Sequence, residues 1–200
     1  VGESRNWPIR EYQSTELLLD LRHLWIRSQK LTRVFKIRSD VFWAVHKFFR
    51  DRGFFEIQAP SITKAACEGG ATLFELNYFG QKAYLTQSWQ LYAEAMIASL
   101  EKIYCIAPSF RAEKSRTRRH LAEYWHAEAE MAWIDHDESL RLQEELISYI
   151  LRFVAEKRAK ELKDLGRDPE DLIRMSELPY KRISYACLLY TSDAADDGES

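Results

Sequence analysis

Between Phe110 and Trp133 the chain reads FRAEKSRTRRHLAEYWHAEAEMAW, and the side chains able to do chemistry crowd there. Arg111 and Glu113 stand two residues apart, so on a strand they point the same way. Tyr124, His126, Glu128 and Glu130 keep that spacing and share one face, leaving Trp125, Ala127, Ala129, Met131 and Trp133 to the other. Lys114, Arg116, Arg118, Arg119 and His120 crowd the intervening loop. A sheet face carrying an arginine, carboxylates and an aromatic ring beside a cationic loop suits a small zwitterion and a polyphosphate.

Each of these groups has a plain structural reading beside the chemical one. Arg111 has apolar neighbours and is expected to need an anionic partner if buried; its planar fork suits bidentate capture of phosphate or carboxylate. Glu128 and Glu130 form either an ion-pair network with Arg111 or part of a ligand site. His126 reads as a hydrogen-bonded core histidine, and Tyr124 as packing or as a flat surface for a base. Glu68 lies beside Gly69 and Gly70, where backbone can approach a ligand closely and an acid would suit an ammonium group. No Ser/His/Asp or Cys/His pairing is legible, nor a phosphate loop of the G-x-x-x-x-G-K type. Chemistry at such a site would run by positioning and electrostatics.

The elements that must position these groups follow from periodicity. From about Ser28 to Arg52 the stripe Val34, Ile37, Val41, Val45, Phe48, widened by Phe42 and Phe49, predicts a helix ended at Gly53. Arg38, Asp40, Lys47, Arg50 and Asp51 are expected on its solvent side. Phe54–Ile57 reads as a short strand closed by Pro60. Leu73–Phe79 and Lys82–Thr86 read as a hairpin about Gly80-Gln81. A helix is expected from Ser88, as N-cap, to about Glu101, with Leu91, Ala95, Met96 and Ala98 inward. Lys102–Ala107 is expected as a strand ended by Pro108. Asp135 and Glu138 have capping-box spacing and open a helix to about Leu165, stopped by Gly166, whose charged stretch Glu156–Lys163 reads as a solvated face. Asp168–Pro179 is a loop or short helix, and Arg182–Tyr185 a short strand.

Composition sets outer limits. With 46% hydrophobic residues the chain can bury a core, and a net charge of −2 argues against a surface that coats polyanions, so contact with nucleic acid must come from local patches. Cys67, Cys105 and Cys187 are far apart and lack metal-site spacing, which favours a reducing compartment and no structural zinc. No apolar run reaches the roughly 18 residues of a membrane span. A cytoplasmic protein with no membrane association is expected. The acidic TSDAADDGES end cannot bury apolar surface and is expected to be disordered.

Read together, Phe110-Arg111-Ala112-Glu113, Arg119-His120-Leu121 and Glu123-Tyr124 resemble motif 2 of the class II aminoacyl-tRNA synthetases. The helix Val34–Arg52 leading into GFFEIQAP resembles their motif 1, the dimer-forming helix and strand. Cys67-Glu68-Gly69-Gly70, Tyr84-Leu85-Thr86-Gln87-Ser88 and Gln90-Leu91-Tyr92 narrow the resemblance to the aspartyl/asparaginyl branch, with RHLWIR at 22–27 and KSRTRRHL at 114–121 more like its asparaginyl members. The resemblance implies an α+β fold, an incomplete class II catalytic domain with an antiparallel sheet flanked by helices. Residues 1–20 would be a hinge from an anticodon-binding domain, 21–186 a partial catalytic domain, and 187–200 a disordered tail foreign to it.

The resemblance also implies a function: ATP-dependent activation of asparagine to the aminoacyl-adenylate and transfer to tRNA(Asn), in a homodimer formed through the motif 1 helix. By position, Arg111 would be catalytic, contacting the α-phosphate and the substrate carboxylate. Glu113, Arg119, His120 and Leu121 would hold ATP, with Tyr124 stacked on adenine. Glu68, Gln87, Gln90 and Arg111 would bind the amino acid. Mg2+ is expected for the full-length enzyme, with ligands outside this chain, and the chain alone is expected to be inactive. Ala93 stands where aspartyl members carry a lysine, which favours asparagine, because aspartate would leave its side-chain carboxylate without a cation. The alternatives are an aspartate–tRNA ligase and a non-catalytic synthetase-like paralogue.

Overall fold

A computed structural model describes residues 8–9, 13–64, 73–113, 120–185 and 187. The described helices are α1 (Thr15–Asp20), α2 (Arg22–Trp25), α3 (Gln29–Asp51), α4 (Gln90–Leu100), α5 (His136–Lys157), α6 (Ala159–Asp164) and α7 (Pro169–Met175). The described strands are β1 (Phe55–Glu56), β2 (Ile62–Thr63), β3 (Glu75–Tyr78), β4 (Gln81–Leu85), β5 (Lys102–Phe110) and β6 (Glu123–Met131). They form two three-stranded sheets, ordered β1-β5-β6 and β2-β4-β3. The expected α+β fold is present with one refinement: β1 runs parallel to β5, while every other described pairing is antiparallel.

The β5–β6 ladder organises the molecule. Its register runs from Lys102↔Met131 to Phe110↔Glu123, and strict alternation divides its side chains between two cores. On one face Tyr104, with Ile106, Ala129 and Met131, packs against Val45, Phe48 and Phe49 of α3 and Leu142, Leu146, Tyr149 and Ile150 of α5. Phe49 stacks on Tyr104 with ring centroids 4.9 Å apart. On the other face Ile103 and Cys105 pack with Ile57 and with Trp89 and Ala93 at the start of α4.

Pro108 lies inside β5 rather than ending it. The amide of Phe110 points away from β6, to the Thr86 carbonyl at 3.0 Å. By alternation the Pro108 nitrogen points the same way, where β1, paired only with Ile103 and Tyr104, has already ended. The missing donor costs the ladder nothing, and the Phe110–Thr86 bond ties the two sheets together.

Local signals hold well at the helix ends. Ser28 caps α3 through its bond to the Leu31 amide (3.3 Å), and Gly53 leaves the helix at φ 79°. Asp135 and Glu138 form the expected reciprocal capping box of α5. The hairpin turn sits one residue earlier than expected, at Phe79-Gly80. Both residues have positive φ, as a two-residue turn between right-twisted strands requires.

Other expectations fail for identifiable reasons. The inward side of α4 is Ala93, Ile97 and Leu100, while Leu91, Ala95, Met96 and Ala98 are exposed. QLYAEAMIASL is apolar nearly all round, so its period does not set its phase. Thr15–Asp20, expected as linker, is helical and capped by Ser14. Arg182–Tyr185 forms no strand; Arg182 instead pairs with Glu144 (2.8 Å) and Asp137 (3.4 Å) of α5.

Asp40 and the charged stretch beyond Val154 are misread together. Asp40, expected in solvent, is 6% exposed. Lys157 reaches its Oδ1 at 2.8 Å, and Arg158 binds its Oδ2 while also contacting Glu161 at 3.3 Å. The long helix breaks at Arg158, so α5 and α6 meet where both cations clamp α3. Burial pushes the Asp40 carboxyl up, but hydrogen bonds from Lys157 and Arg158 outweigh it and hold the group below the usual carboxylate range.

A carboxyl lowered in the fold contributes stability above its unfolded pKa, and that contribution is lost as pH falls through the folded value. Asp40→Asn should therefore lower unfolding free energy at neutral pH by about 2 kcal/mol, less than a fully buried pair because both cations keep solvent contact. Denaturant melts should show the gap between variant and wild type closing as pH falls below the ordinary carboxylate range.

Candidate active site

The face of β5–β6 that meets α4 carries the chemistry. Register places Tyr124 opposite Ser109, His126 opposite Ala107, Glu128 opposite Cys105 and Glu130 opposite Ile103, so all four β6 side chains share that face, as expected. These four are more shielded than Trp125 and Ala127 on the reverse side, where Trp125 is half exposed and meets the edge of Phe42 at 5.3 Å.

At the Phe110 end of the ladder the Arg111 amide bonds the Ala122 carbonyl at 2.9 Å. This extends the pairing of the two strands one step past β5. The Arg111 guanidinium lies 5.7 Å from the centre of the Tyr124 ring, and that ring is 5.5 Å from His126. Arg111 is exposed rather than buried among apolar neighbours, because it stands beyond the last strand pair at the open edge of the site. Its guanidinium is therefore presented to solvent over an aromatic face, a stance suited to an anion carrying a flat base. Glu113, His120 and Leu121 are also exposed near this end. Glu68 and Arg119 lie outside the described residues, as do Lys114, Arg116 and Arg118.

Further along the face the carboxylates do not form the ion-pair network with Arg111 that sequence spacing allowed. Glu128 is bound at Oε1 by the Ser88 hydroxyl at 2.5 Å. Its Oε2 takes the Trp89 amide at 3.4 Å, with His126 Nδ1 at 3.5 Å and the Cys105 thiol at 4.0 Å. His126 is thus a neighbour of the carboxylate and not a core residue. Burial raises the pKa of Glu130, and the adjacent charges of Glu128 and Glu94 raise it further. Burial next to Glu128 pushes the Cys105 thiol up to about 12, so it stays neutral.

The start of α4 closes this end. The chain enters the helix through Trp89, one residue later than expected, and the Ser88 hydroxyl accepts the Gln90 amide at 3.1 Å. Gln87 is held by its carbonyl, which takes the Ser109 hydroxyl at 2.7 Å. Gln90 donates to Glu94 at 3.2 Å. Ala93 is fully buried against Ile103 and Cys105 and brings no charge to the site. Ser88 was legible in sequence only as a cap, and the link from Ser88 to Glu128 spans 40 residues, a relation local pattern cannot express.

The arrangement is a sheet face with a cation over an aromatic ring at one end and, at the other, the hydrogen-bonded Glu128 beside Glu130. A cation over an aromatic ring suits an anion that carries a flat base, and a carboxylate with hydrogen-bonding capacity suits a donor. Among the described residues no group of three or more His, Cys, Asp or Glu side chains is placed to hold a metal ion. No helix among them is long and apolar enough to cross a membrane.

Comparison with known proteins identifies the family. The family model for tRNA synthetases class II (D, K and N) matches residues 14–198. The chain is 51% identical over 188 residues to the asparagine–tRNA ligase of Thermoplasma acidophilum, covering 94% of this chain and 44% of that protein. Among solved structures it resembles the asparaginyl-tRNA synthetase of Pyrococcus horikoshii complexed with asparaginyl-adenylate, with a TM-score of 0.88 and 44% identity over 96% of this chain and 44% of that one. The asparaginyl-tRNA synthetase of Entamoeba histolytica gives a TM-score of 0.84 and 37% identity over 94% of this chain and 41% of that one. The chain thus spans less than half the length of these relatives. With most of its residues inside the family match and its fold shared with solved members, the chain belongs to the class II tRNA synthetases of the D, K and N group.

Proposed function

We propose that this chain supplies one wall of the adenylate-forming site of an asparagine–tRNA ligase. In the reaction the asparagine carboxylate attacks the α-phosphorus of ATP and pyrophosphate leaves; a hydroxyl at the 3′ end of tRNA(Asn) then attacks the asparaginyl carbonyl, forming the ester and releasing AMP. The observation that carries this reading is the division of one sheet face into an Arg111–Tyr124 end and a Glu128–Glu130 end joined by α4. The asparaginyl-adenylate complex of the Pyrococcus horikoshii relative, which shares this fold, supports it.

In this reading Arg111 binds the α-phosphate and the substrate carboxylate and stabilises the charge that builds between them, the role an arginine fork serves best. Tyr124 stacks on adenine. Glu113, Arg119, His120 and Leu121 hold ATP, the two basic residues toward its outer phosphates. Glu68 takes the substrate ammonium, beside Gln87 and Gln90. Glu128 accepts from the side-chain amide.

The choice of asparagine over aspartate rests on charge. Ala93 contributes no cation, and Glu130 on this face has the carboxylates Glu128 and Glu94 as charged neighbours. An amide donates to such groups, whereas a second carboxylate is repelled by them. Magnesium accompanies ATP in this chemistry. Its ligands are assigned to the part of the longer protein outside this chain.

Within the same reading residues 21–186 belong to the catalytic domain, 1–20 lead into it from an anticodon-binding domain, and the protein works in the cytoplasm. The active form is a homodimer built on α3 and β1. Supporting this, Trp43 and Phe55 are each about half exposed, beside an open groove of about 660 Å³ lined by Trp43, His46, Arg50, Glu56, Gln58 and Tyr104.

Three measurements test these assignments in the protein carried to its relatives' full length. Pyrophosphate exchange into ATP should run far faster with asparagine than with aspartate, and be negligible for residues 1–200 alone; equal or reversed rates would remove the asparagine assignment. Arg111→Ala should lower kcat by about two to three orders of magnitude, as loss of a transition-state donor does; an unchanged kcat refutes its role. Trp43→Glu should shift the sedimenting species from dimer to monomer, and a persistent dimer would place the interface elsewhere.

A further inference from the structure

Ser88 uses its hydroxyl in both directions. It donates to Glu128 Oε1 at 2.5 Å and accepts the Gln90 amide at 3.1 Å, so one oxygen links β6 to the first turn of α4. The residue itself is pinned. Its carbonyl takes the Thr86 hydroxyl at 2.6 Å, and the preceding carbonyl, of Gln87, takes the Ser109 hydroxyl of β5 at 2.7 Å. Segment 86–90 is thereby braced against β5 while it grips a carboxylate on β6.

We propose that Ser88 is a positioning residue of the amino-acid site: by holding Glu128 in one orientation against α4, it sets the preference for a side-chain amide over a side-chain carboxylate. The inference rests on the asparagine reading above. A carboxylate has about four acceptor positions. Ser88 takes one on Oε1, and the Trp89 amide, His126 and Cys105 approach Oε2, which leaves Oε1 with capacity for a further donor. An amide N–H completes that set. A side-chain carboxylate offers no proton and meets like charge from Glu128, while Cys105, neutral beneath the site, supplies no compensating cation. Without the hydroxyl, Glu128 keeps only the longer contacts at Oε2 and is free to turn toward them.

The test uses Ser88→Ala and Ser88→Thr in the protein carried to its relatives' length, with KM and kcat for pyrophosphate exchange measured separately for asparagine, aspartate and ATP. Ser88→Ala should raise the KM for asparagine about tenfold, the scale of losing one hydrogen bond to a charged group. The KM for ATP should be unchanged and the asparagine-over-aspartate preference narrowed. Ser88→Thr, which keeps the hydroxyl, should restore both. A wild-type KM and preference in Ser88→Ala overturns the proposal. So does an equal rise in both KM values, or a failure of Ser88→Thr to restore what Ser88→Ala loses, since either marks a role in folding alone. A wild-type protein that does not activate asparagine overturns instead the reading on which the proposal stands.

Discussion

The antiparallel ladder between β5 and β6 is the constraint from which the rest of the molecule follows. Nine register pairs fix which side chains share a face, and a slip of one residue would exchange the two faces wholesale. One face sends Tyr104, Ala129 and Met131 into the core under α3 and α5. The other lines up Tyr124, His126, Glu128 and Glu130 under α4. The apolar half of the alternation provides the packing energy that lets the polar half stand partly shielded, with no Lys or Arg among the described residues paired to Glu128 or Glu130. Glu128 and Glu130 are tolerable there because Ser88 and the Trp89 amide satisfy the first, and burial beside like charges favours the proton on the second.

Scaffold and site are stabilised by different means. Behind the sheet the aromatic cluster of Phe48, Phe49, Phe54 and Tyr104 supplies non-directional burial, and the Asp40 clamp adds a directional contact between α3 and the α5–α6 junction. In front, Trp89 and Ala93 give α4 a small apolar foot, and hydroxyl bonds from Ser88, Ser109 and Thr86 set its start. This face therefore depends on hydrogen bonds of defined geometry, as the proposed choice of an amide over a carboxylate of nearly equal shape requires.

What was legible in the sequence is what is local or periodic. The capping box at Asp135, the cap at Ser28, the glycine exit at Gly53 and the face shared by Tyr124 through Glu130 each depend on spacings of a few residues. The motif resemblance added the family and the branch, since it reads separated segments as one set. Long-range pairing was not legible. Asp40 and the run Glu156–Lys163 each look solvated alone, and only the 118-residue contact between Asp40 and Arg158 shows that they neutralise one another. Ser88 reads as a cap because half of its role is to take the Gln90 amide; the other half lies on a distant strand. The phase of α4 failed for the opposite reason, an excess of apolar residues that leaves every face a candidate. Pro108 misled because its meaning depends on where β1 ends, a matter of sheet topology.

On the proposed function, the α4 face of β5–β6 receives an asparaginyl-adenylate with its base at Tyr124 and its amide at Glu128. A crystal structure of the protein, carried to its relatives' length, with a non-hydrolysable asparaginyl-adenylate analogue measures this directly. Adenine should stack on Tyr124, the phosphate mimic should lie at the Arg111 guanidinium, and the side-chain amide should donate to a Glu128 still held by Ser88. An analogue bound away from this face, or one whose amide finds its partner elsewhere while Glu128 points away, would contradict it.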